Sequence, residues 1–248
     1  FGWRTVYLFG LIPMVTAMVL LQLFAKEPPD RDEKKTLKDY LKVLIDRDAW
    51  VFNLMYSVTF GGFIGLASFL PTLFHDHYDI PKQSVGMYVT LGVIAASGLR
   101  VIGGWLADHI GGLKLLYIIF GLILASTLGA ALMPASPWVM ACAVALAMGA
   151  MGAGNGAVFQ LVPLRFRTET AVAGSLIGEI GALAGGFLPN AMGLGKQHFD
   201  SFSPGFLAGA ALTVLSVVAL AVLSRTWTKT WVGDGGKARG ESPGLVRP

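Results

Sequence analysis

Seven stretches of about 20 apolar residues, separated by short polar breaks, constrain this chain more than any other feature. They run roughly over residues 5–24, 51–74, 84–107, 113–133, 137–161, 169–193 and 203–223. As a helix rising 1.5 Å per residue, each covers the ~30 Å of hydrocarbon in a bilayer. Buried strands do not fit, because the runs are too long and lack the period-two alternation of a membrane barrel. The pattern predicts an all-α fold, a polytopic bundle of membrane helices. Only 14% of the 248 residues are charged, against about 25% in a soluble domain. Glycine, at 32 residues, is as abundant as expected where helices pack closely in lipid.

The polar breaks set orientation. Residues 26–50 carry Lys26, Arg31, Lys34, Lys35, Lys38, Lys42 and Arg47. On the same side fall Lys114, Arg165, Arg167, Arg225, Lys229, Lys237, Arg239 and Arg247. Arg4, Lys82 and Lys196 lie opposite, so fifteen basic residues face three. The positive-inside rule puts the first group in the cytoplasm and the chain in the cell membrane. The net charge of +4 therefore does not point to nucleic acid. The 26–50 segment opens with Pro28-Pro29. From Leu37 the apolar residues Leu37, Tyr40, Leu41 and Leu44 recur at helical spacing, which reads as an amphipathic helix at the membrane surface or as a solvated linker with a little helix. The tail after residue 223 turns polar and, from Thr228, rich in Gly, Pro and charge; a disordered cytoplasmic tail is expected. The chain starts at Phe1 without a charged leader and reads as part of a longer protein, with an N-terminal portion preceding it. The lone Cys142 excludes an intramolecular disulfide framework and sits in an apolar run as a packing residue.

A few residues do not belong in lipid. Arg100 lies about eight residues, or ~12 Å of rise, from the end of its span at Asp108, too far for easy snorkelling. Its guanidinium offers a planar fork of donors to an anion. Glu179 is also deep; burial favours its neutral form and a nearby cation its charged form, so it couples protons, makes a static pair with Arg100, or stays protonated and bonded to a neighbour. The stretch GAGNGAVFQLVP, residues 152–163, sets Gly152, Gly154, Asn155 and Gly156 in an apolar span. Gly149, Gly152 and Gly156 share a helix face, as do Gly174, Gly178, Gly181 and Gly185, and small faces let backbones approach. Asn155 can hydrogen-bond across such a contact or reach a ligand, and Pro163 is expected to end or break the helix. Tyr56 and Phe60, four apart, share a face and can wall in an anion.

The segment GGWLADHIGGLK, with Gly104, Asp108, Gly111 and Lys114, resembles the loop motif of the major facilitator superfamily, with His109 where a basic Arg is usual. The segment GAMGAGNGAVFQLVPLRF resembles the nitrate signature of that superfamily's nitrate/nitrite porter family. LRVIGGWLAD and YSVTFGGFIG resemble the same family's eighth and seventh helices. The resemblance implies the major facilitator fold. Residues 1–24 would be the last helix of an N-terminal half, 25–50 the cytoplasmic central loop, 51–223 a six-helix C-terminal bundle and 224–248 the tail. It implies transport of nitrate or nitrite by alternating access, by proton symport or by exchange, between this bundle and the absent six-helix half. Arg100, Tyr56, Phe60, Gly154, Asn155 and Gly156 would bind substrate, with a second arginine from the other half. The alternative is another small anion, such as a carboxylate. No catalytic residues, cofactor or metal are expected: His75, His77, His109 and His198 fall at loop positions, and no nucleophile–base set converges in a span.

Overall fold

The computed structural model describes residues 3–25 and 36–238. The Pro28-Pro29 stretch and the last ten residues of the expected tail lie outside the described residues. Among the described residues the structure is helical, without a strand. It divides into two units at Thr36. The first contains α1 (Trp3–Phe24), mostly apolar, with Pro13 inside it and the Thr16 hydroxyl bonded to the Ile12 carbonyl at 2.8 Å. The second contains α2 (Leu37–Ile45), α3 (Arg47–Tyr56), α4 (Gly62–Tyr78), α5 (Lys82–Ile110), α6 (Gly112–Ala131), α7 (Pro137–Arg165), α8 (Thr170–Leu183), α9 (Phe187–Phe199) and α10 (Ser203–Thr230). Among the described residues seven helical runs are long and apolar enough to cross a membrane, at the seven places where the sequence shows apolar stretches. The chain is a multi-pass membrane protein.

Two of the seven runs are interrupted. A π turn over Ser57–Gly61 joins α3 to α4, and a 3-10 turn over Ala184–Gly186 joins α8 to α9. At the start of the π turn the Ser57 hydroxyl donates to the Asn53 carbonyl at 2.7 Å, and further in Thr59 donates to the Met55 carbonyl at 3.2 Å. Side-chain bonds of this kind compete with the regular ladder and bend it. The two irregular turns lie against each other. A Cβ at Gly61 would sit 2.7 Å from the Gly181 carbonyl oxygen, and one at Gly185 2.9 Å from Ile64 Cγ2.

One end of the bundle is fixed by a charged network. Asp46 caps α3 by accepting from the Asp48 amide at 2.7 Å. Arg165, at the end of α7, donates to Asp46 and Asp48, both at 2.6 Å. Trp227 of α10, 1% exposed, donates its indole N–H to the other oxygen of Asp48 at 2.9 Å and stacks on Phe52 at 5.2 Å. Three helix ends thus meet on one half-buried carboxylate pair. At the same end α2 docks through Val43, which is buried, and through an ion pair between Lys42 and Glu169. The hydrogen bond between these two holds the Glu169 carboxyl below its ordinary 4.5 and the Lys42 ammonium above its ordinary 10.5. The stripe read from the sequence, Leu37, Tyr40, Leu41 and Leu44, is exposed instead. The docking residue is one the periodicity did not single out.

The end of the chain corrects the sequence expectation. The last helix does not stop near residue 223 but runs to Thr230, and residues after it fold back. Val232 is fully buried, and Asp234–Gly236 form a 3-10 turn in which Asp234 takes a 2.9 Å hydrogen bond from Lys114. Hydropathy falls at Ser224 because the final two turns carry Arg225 and Lys229, yet Trp227 and Trp231 continue the packed face.

Removing Asp48 tests this end. Asp48→Ala leaves the buried Trp227 N–H without an acceptor and Arg165 with only Asp46. An unsatisfied buried donor costs about 1–3 kcal/mol. Thermal unfolding in detergent should shift down clearly for Asp48→Ala, and Trp227→Phe, which keeps the ring stack, should shift less.

Candidate functional site

The helix that carries the deep arginine is seated backbone to backbone. A Cβ at Gly152 of α7 would lie 2.1 Å from the Ala96 carbonyl oxygen of α5, and one at Gly156 2.4 Å from the Gly104 nitrogen. From the other side, a Cβ at Gly103 would lie 2.3 Å from the Ala153 carbonyl oxygen. Gly149 completes the stripe against Leu99. The glycine face expected on α7 is therefore the surface onto which α5 closes. Gly154 points elsewhere: its Cβ would meet Thr59 Cγ2 of the π turn at 2.5 Å. One short segment thus presses on two neighbours.

Arg100 sits on the exposed side of α5 within this contact; its carbonyl oxygen would be 2.7 Å from a Cβ at Gly156. Its guanidinium lies over the Phe60 ring, 5.3 Å from the centroid. Phe60 stacks on Tyr56 at 5.0 Å, and Tyr56 meets Phe159 edge-on at 5.1 Å. Tyr56 precedes the π turn and Phe60 lies within it, and Gly181 makes room for Tyr56, whose Cδ1 would be 2.5 Å from a Cβ there. Among the described residues no carboxylate pairs with Arg100. A guanidinium free of a counter-charge, with one face on an aromatic ring, keeps its edge donors for a planar oxyanion. The sequence reading missed Phe159. It stands three residues past Gly156, and its apolar surroundings gave no signal that it would reach the aromatic row.

The remaining predicted residues are placed unevenly. Asn155 is not on an open surface: it is 3% exposed, and neither its amide nitrogen nor its oxygen has a partner. Leaving such groups bare costs about 1–3 kcal/mol each. Glu179 is not buried within the described bundle. It is exposed on α8, accepts a long 3.4 Å bond from Ser175 and makes no ion pair with Arg100. The static Glu179–Arg100 pair is therefore not present. The second glycine face holds only in part: Gly181 and Gly185 are tightly packed, but a Cβ at Gly178 would meet nothing within 4 Å. Spacing gives the face, not how near the neighbour comes. Pro163 does not break α7, which ends two residues later at Arg165; the missing N–H removes the ladder bond to the Phe159 carbonyl. In the loop motif, Gly111 turns at φ +98 between α5 and α6 and lies against Gly235, and Lys114 holds Asp234. Asp108 is exposed and unpartnered among the described residues, and His109 donates to the Trp105 carbonyl at 2.7 Å.

Residues 1–189 match the profile of the Major Facilitator Superfamily. Among curated proteins, the chain is 31% identical to a nitrite extrusion protein of Bacillus subtilis over 89% of its own length and 54% of the relative's. It is 29% identical to a probable nitrate/nitrite antiporter, NarK1, of Thermus thermophilus, over 76% of this chain and 47% of that one. It thus spans about half the length of the curated relatives it matches. Among solved structures it resembles the E. coli fucose:proton symporter FucP, with a TM-score of 0.68 at 17% identity, covering 88% of this chain and 54% of the other. That likeness concerns the fold alone.

The seating of α5 on α7 gives a direct test. Gly152→Ala places a methyl where the Ala96 backbone already is, and overpacking of this kind costs about 1–3 kcal/mol. Gly178→Ala adds the same methyl into open space. The first should lower the unfolding temperature of the purified protein, and the second should leave it unchanged or raise it.

Proposed function

The chain belongs to the major facilitator superfamily, and from that premise we propose that it carries nitrate or nitrite across the cell membrane by alternating access. In this reading α1 ends one six-helix half, α2 lies in the cytoplasmic connection, and α3 to α10 form the other half. The observation that carries the reading is Arg100: deep in its span, without a counter-charge among the described residues, and set against the Phe60–Tyr56 stack. The printed names of the curated relatives support nitrate and nitrite as the anions.

The geometry supports a division of labour. Arg100 offers two parallel N–H donors to two oxygens of a planar anion, which an ammonium cannot match. Phe60 and Tyr56 limit water beside it and favour a flat ligand. A second arginine, from the half that faces this bundle, would close the clamp. The opposed π and 3-10 turns, at Ser57–Gly61 and Ala184–Gly186, are where helices carrying this wall can flex without breaking long ladders. The fifteen basic residues that the sequence assigns to the side of the 26–50 segment support a cytoplasmic position for that side.

Coupling follows from energetics. An anion entering alone is opposed by an inside-negative potential, at about 2.3 kcal/mol per charge per 100 mV. Two accompanying protons reverse that sign, and exchange for another anion removes it. Glu179, exposed on α8 and accepting a bond from Ser175, is the intramembrane carboxylate to which this reading assigns the coupling.

The experiment uses the full-length protein in liposomes with a trapped pH dye, with and without internal nitrite. Arg100→Lys should lose nitrate uptake nearly as fully as Arg100→Ala; uptake near wild type by Arg100→Lys would overturn the bidentate role. Luminal acidification accompanying nitrate, abolished by Glu179→Gln, is expected for symport. Nitrate movement only against internal nitrite, without a pH change, would assign exchange instead.

A further inference from the structure

A groove of about 750 Å³ opens between α4 and α5 at the end of the bundle opposite α2. On α4 it is lined by Thr72, His75 and Asp76, and on α5 by Lys82 and Thr90, with Val85, Val89 and Val93 as its apolar floor. Nothing in the binding site described above uses it. Yet the two helix faces that line it are the faces that lead to Phe60 and Arg100. Along α4 the stripe runs from His75 and Thr72 through the exposed Ser68 to the half-buried Ile64, one turn from Phe60 in the π turn that precedes α4. Along α5 it runs from Lys82 through Gly86, Thr90, Val93 and the exposed Ser97 to Arg100. These are steps of three and four residues, so each set shares one helix face. Eighteen residues of α5, about 27 Å of rise, separate the charged mouth from the arginine.

The mouth has a defined chemistry. The Nδ1 of His75 lies 3.0 Å from the Ile80 carbonyl oxygen. A carbonyl only accepts, so Nδ1 carries the hydrogen and Nε2 is the nitrogen that gains or loses a proton. The ring is half-buried, and the contact to the chain reversal after α4, where Asp79 turns at φ 53, holds it in place. Lys82 and Asp76 make no ion pair or hydrogen bond among the described residues. The other charged or titratable groups near this end lie outside the groove lining. Asp79 caps α4 through its backbone N–H and leaves its exposed carboxylate to solvent, His77 packs edge-on against Tyr78 and Phe202, Lys196 and Asp200 of α9 pair at 2.6 Å, and His198 of α9 is exposed. With His75 neutral, the groove mouth holds Lys82 against Asp76 and sums to zero. With His75 protonated it carries one positive charge and an additional N–H donor.

We propose that this mouth is a capture site for a small oxyanion, where Lys82 and the protonated His75 hold the ion before it passes down the groove to Arg100. The inference rests on the anion-transport reading and adds to it a second, pH-responsive site. A cationic mouth raises the local anion concentration and the rate of arrival, and it does so only while the histidine carries its proton. Asp76 keeps the net charge low enough that the ion leaves again.

The test is anion exchange by the full-length protein in liposomes with equal pH on both faces, so that no proton gradient contributes. Nitrate, nitrite and formate serve as probes. For the wild type, KM for the carried anion should rise about threefold to tenfold as pH increases through the range in which histidines titrate, roughly 5 to 8. His75→Gln, whose amide can still donate to the Ile80 carbonyl, should show a flat KM fixed near the high-pH value. Lys82→Gln should raise KM at every pH and weaken its dependence on ionic strength. In both variants the effect falls on KM rather than kcat. A His75→Gln protein that keeps the wild-type pH dependence, or a Lys82→Gln protein with unchanged KM, overturns the capture site. In either case loss of exchange by Arg100→Lys leaves the transport reading standing. Exchange of none of the three anions by wild type overturns both.

Discussion

The approach of α5 to α7, so close that no Cβ fits between them at Gly103, Gly152 or Gly156, is the contact on which the rest of the bundle depends. Lipid tails are as apolar as leucine, so burying apolar surface gives membrane helices little reason to associate. Van der Waals contact between small residues and backbones has to do it. The same contact carries Arg100, because its carbonyl is part of the surface that Gly156 meets. The backbone from which the Arg100 side chain reaches over Phe60 is thereby set against the backbone of α7. On its other side the same glycine-rich segment receives Thr59 through Gly154. The π turn and α5 are thus both indexed against five residues of one helix.

The two ends of the bundle are built differently. At the α2 end, charges are paired: Arg165 with Asp46 and Asp48, Lys42 with Glu169, Lys114 with Asp234. Three helices, the surface helix and the returning chain end are tied there, mostly by half-exposed pairs whose individual worth is small but whose joint geometry fixes helix ends relative to one another. At the far end the groove leaves Lys82 and Asp76 unpaired among the described residues, and the outer ring nitrogen of His75 free.

The spans were legible because twenty apolar residues in a row have few alternatives, and Arg100 was legible because a cation in such a run is costly. The glycine face of α7 followed from spacing alone. What spacing could not carry was distance. Gly178 has the same periodicity as Gly181 and Gly185 but faces open space. Nor could hydropathy mark the interruptions at Ser57–Gly61 and Ala184–Gly186, because a π turn and a 3-10 turn change hydrogen-bond register without changing apolarity. The packed residues after 223 were hidden for the opposite reason: Trp227, Trp231 and Val232 are diluted by charged neighbours. Val43 escaped because the dominant apolar stripe of α2 faces away from the bundle.

The π turn has a consequence for how this span tolerates change in length. An ordinary helix advances about 100° per residue, and a π turn accommodates one more residue than that winding allows. The faces of α3 and α4 are therefore out of phase by one residue. Tyr56 and Phe60 stack across that offset, and Gly61 meets the 3-10 turn just beyond it. Deleting any residue of 57–61 would restore a regular helix of nearly the same hydropathy and turn every side chain of α4 by roughly 100° relative to α3. A span with a length that a bilayer would accept would then present the wrong face to α5, so its residue count is set by angular register and not by membrane thickness.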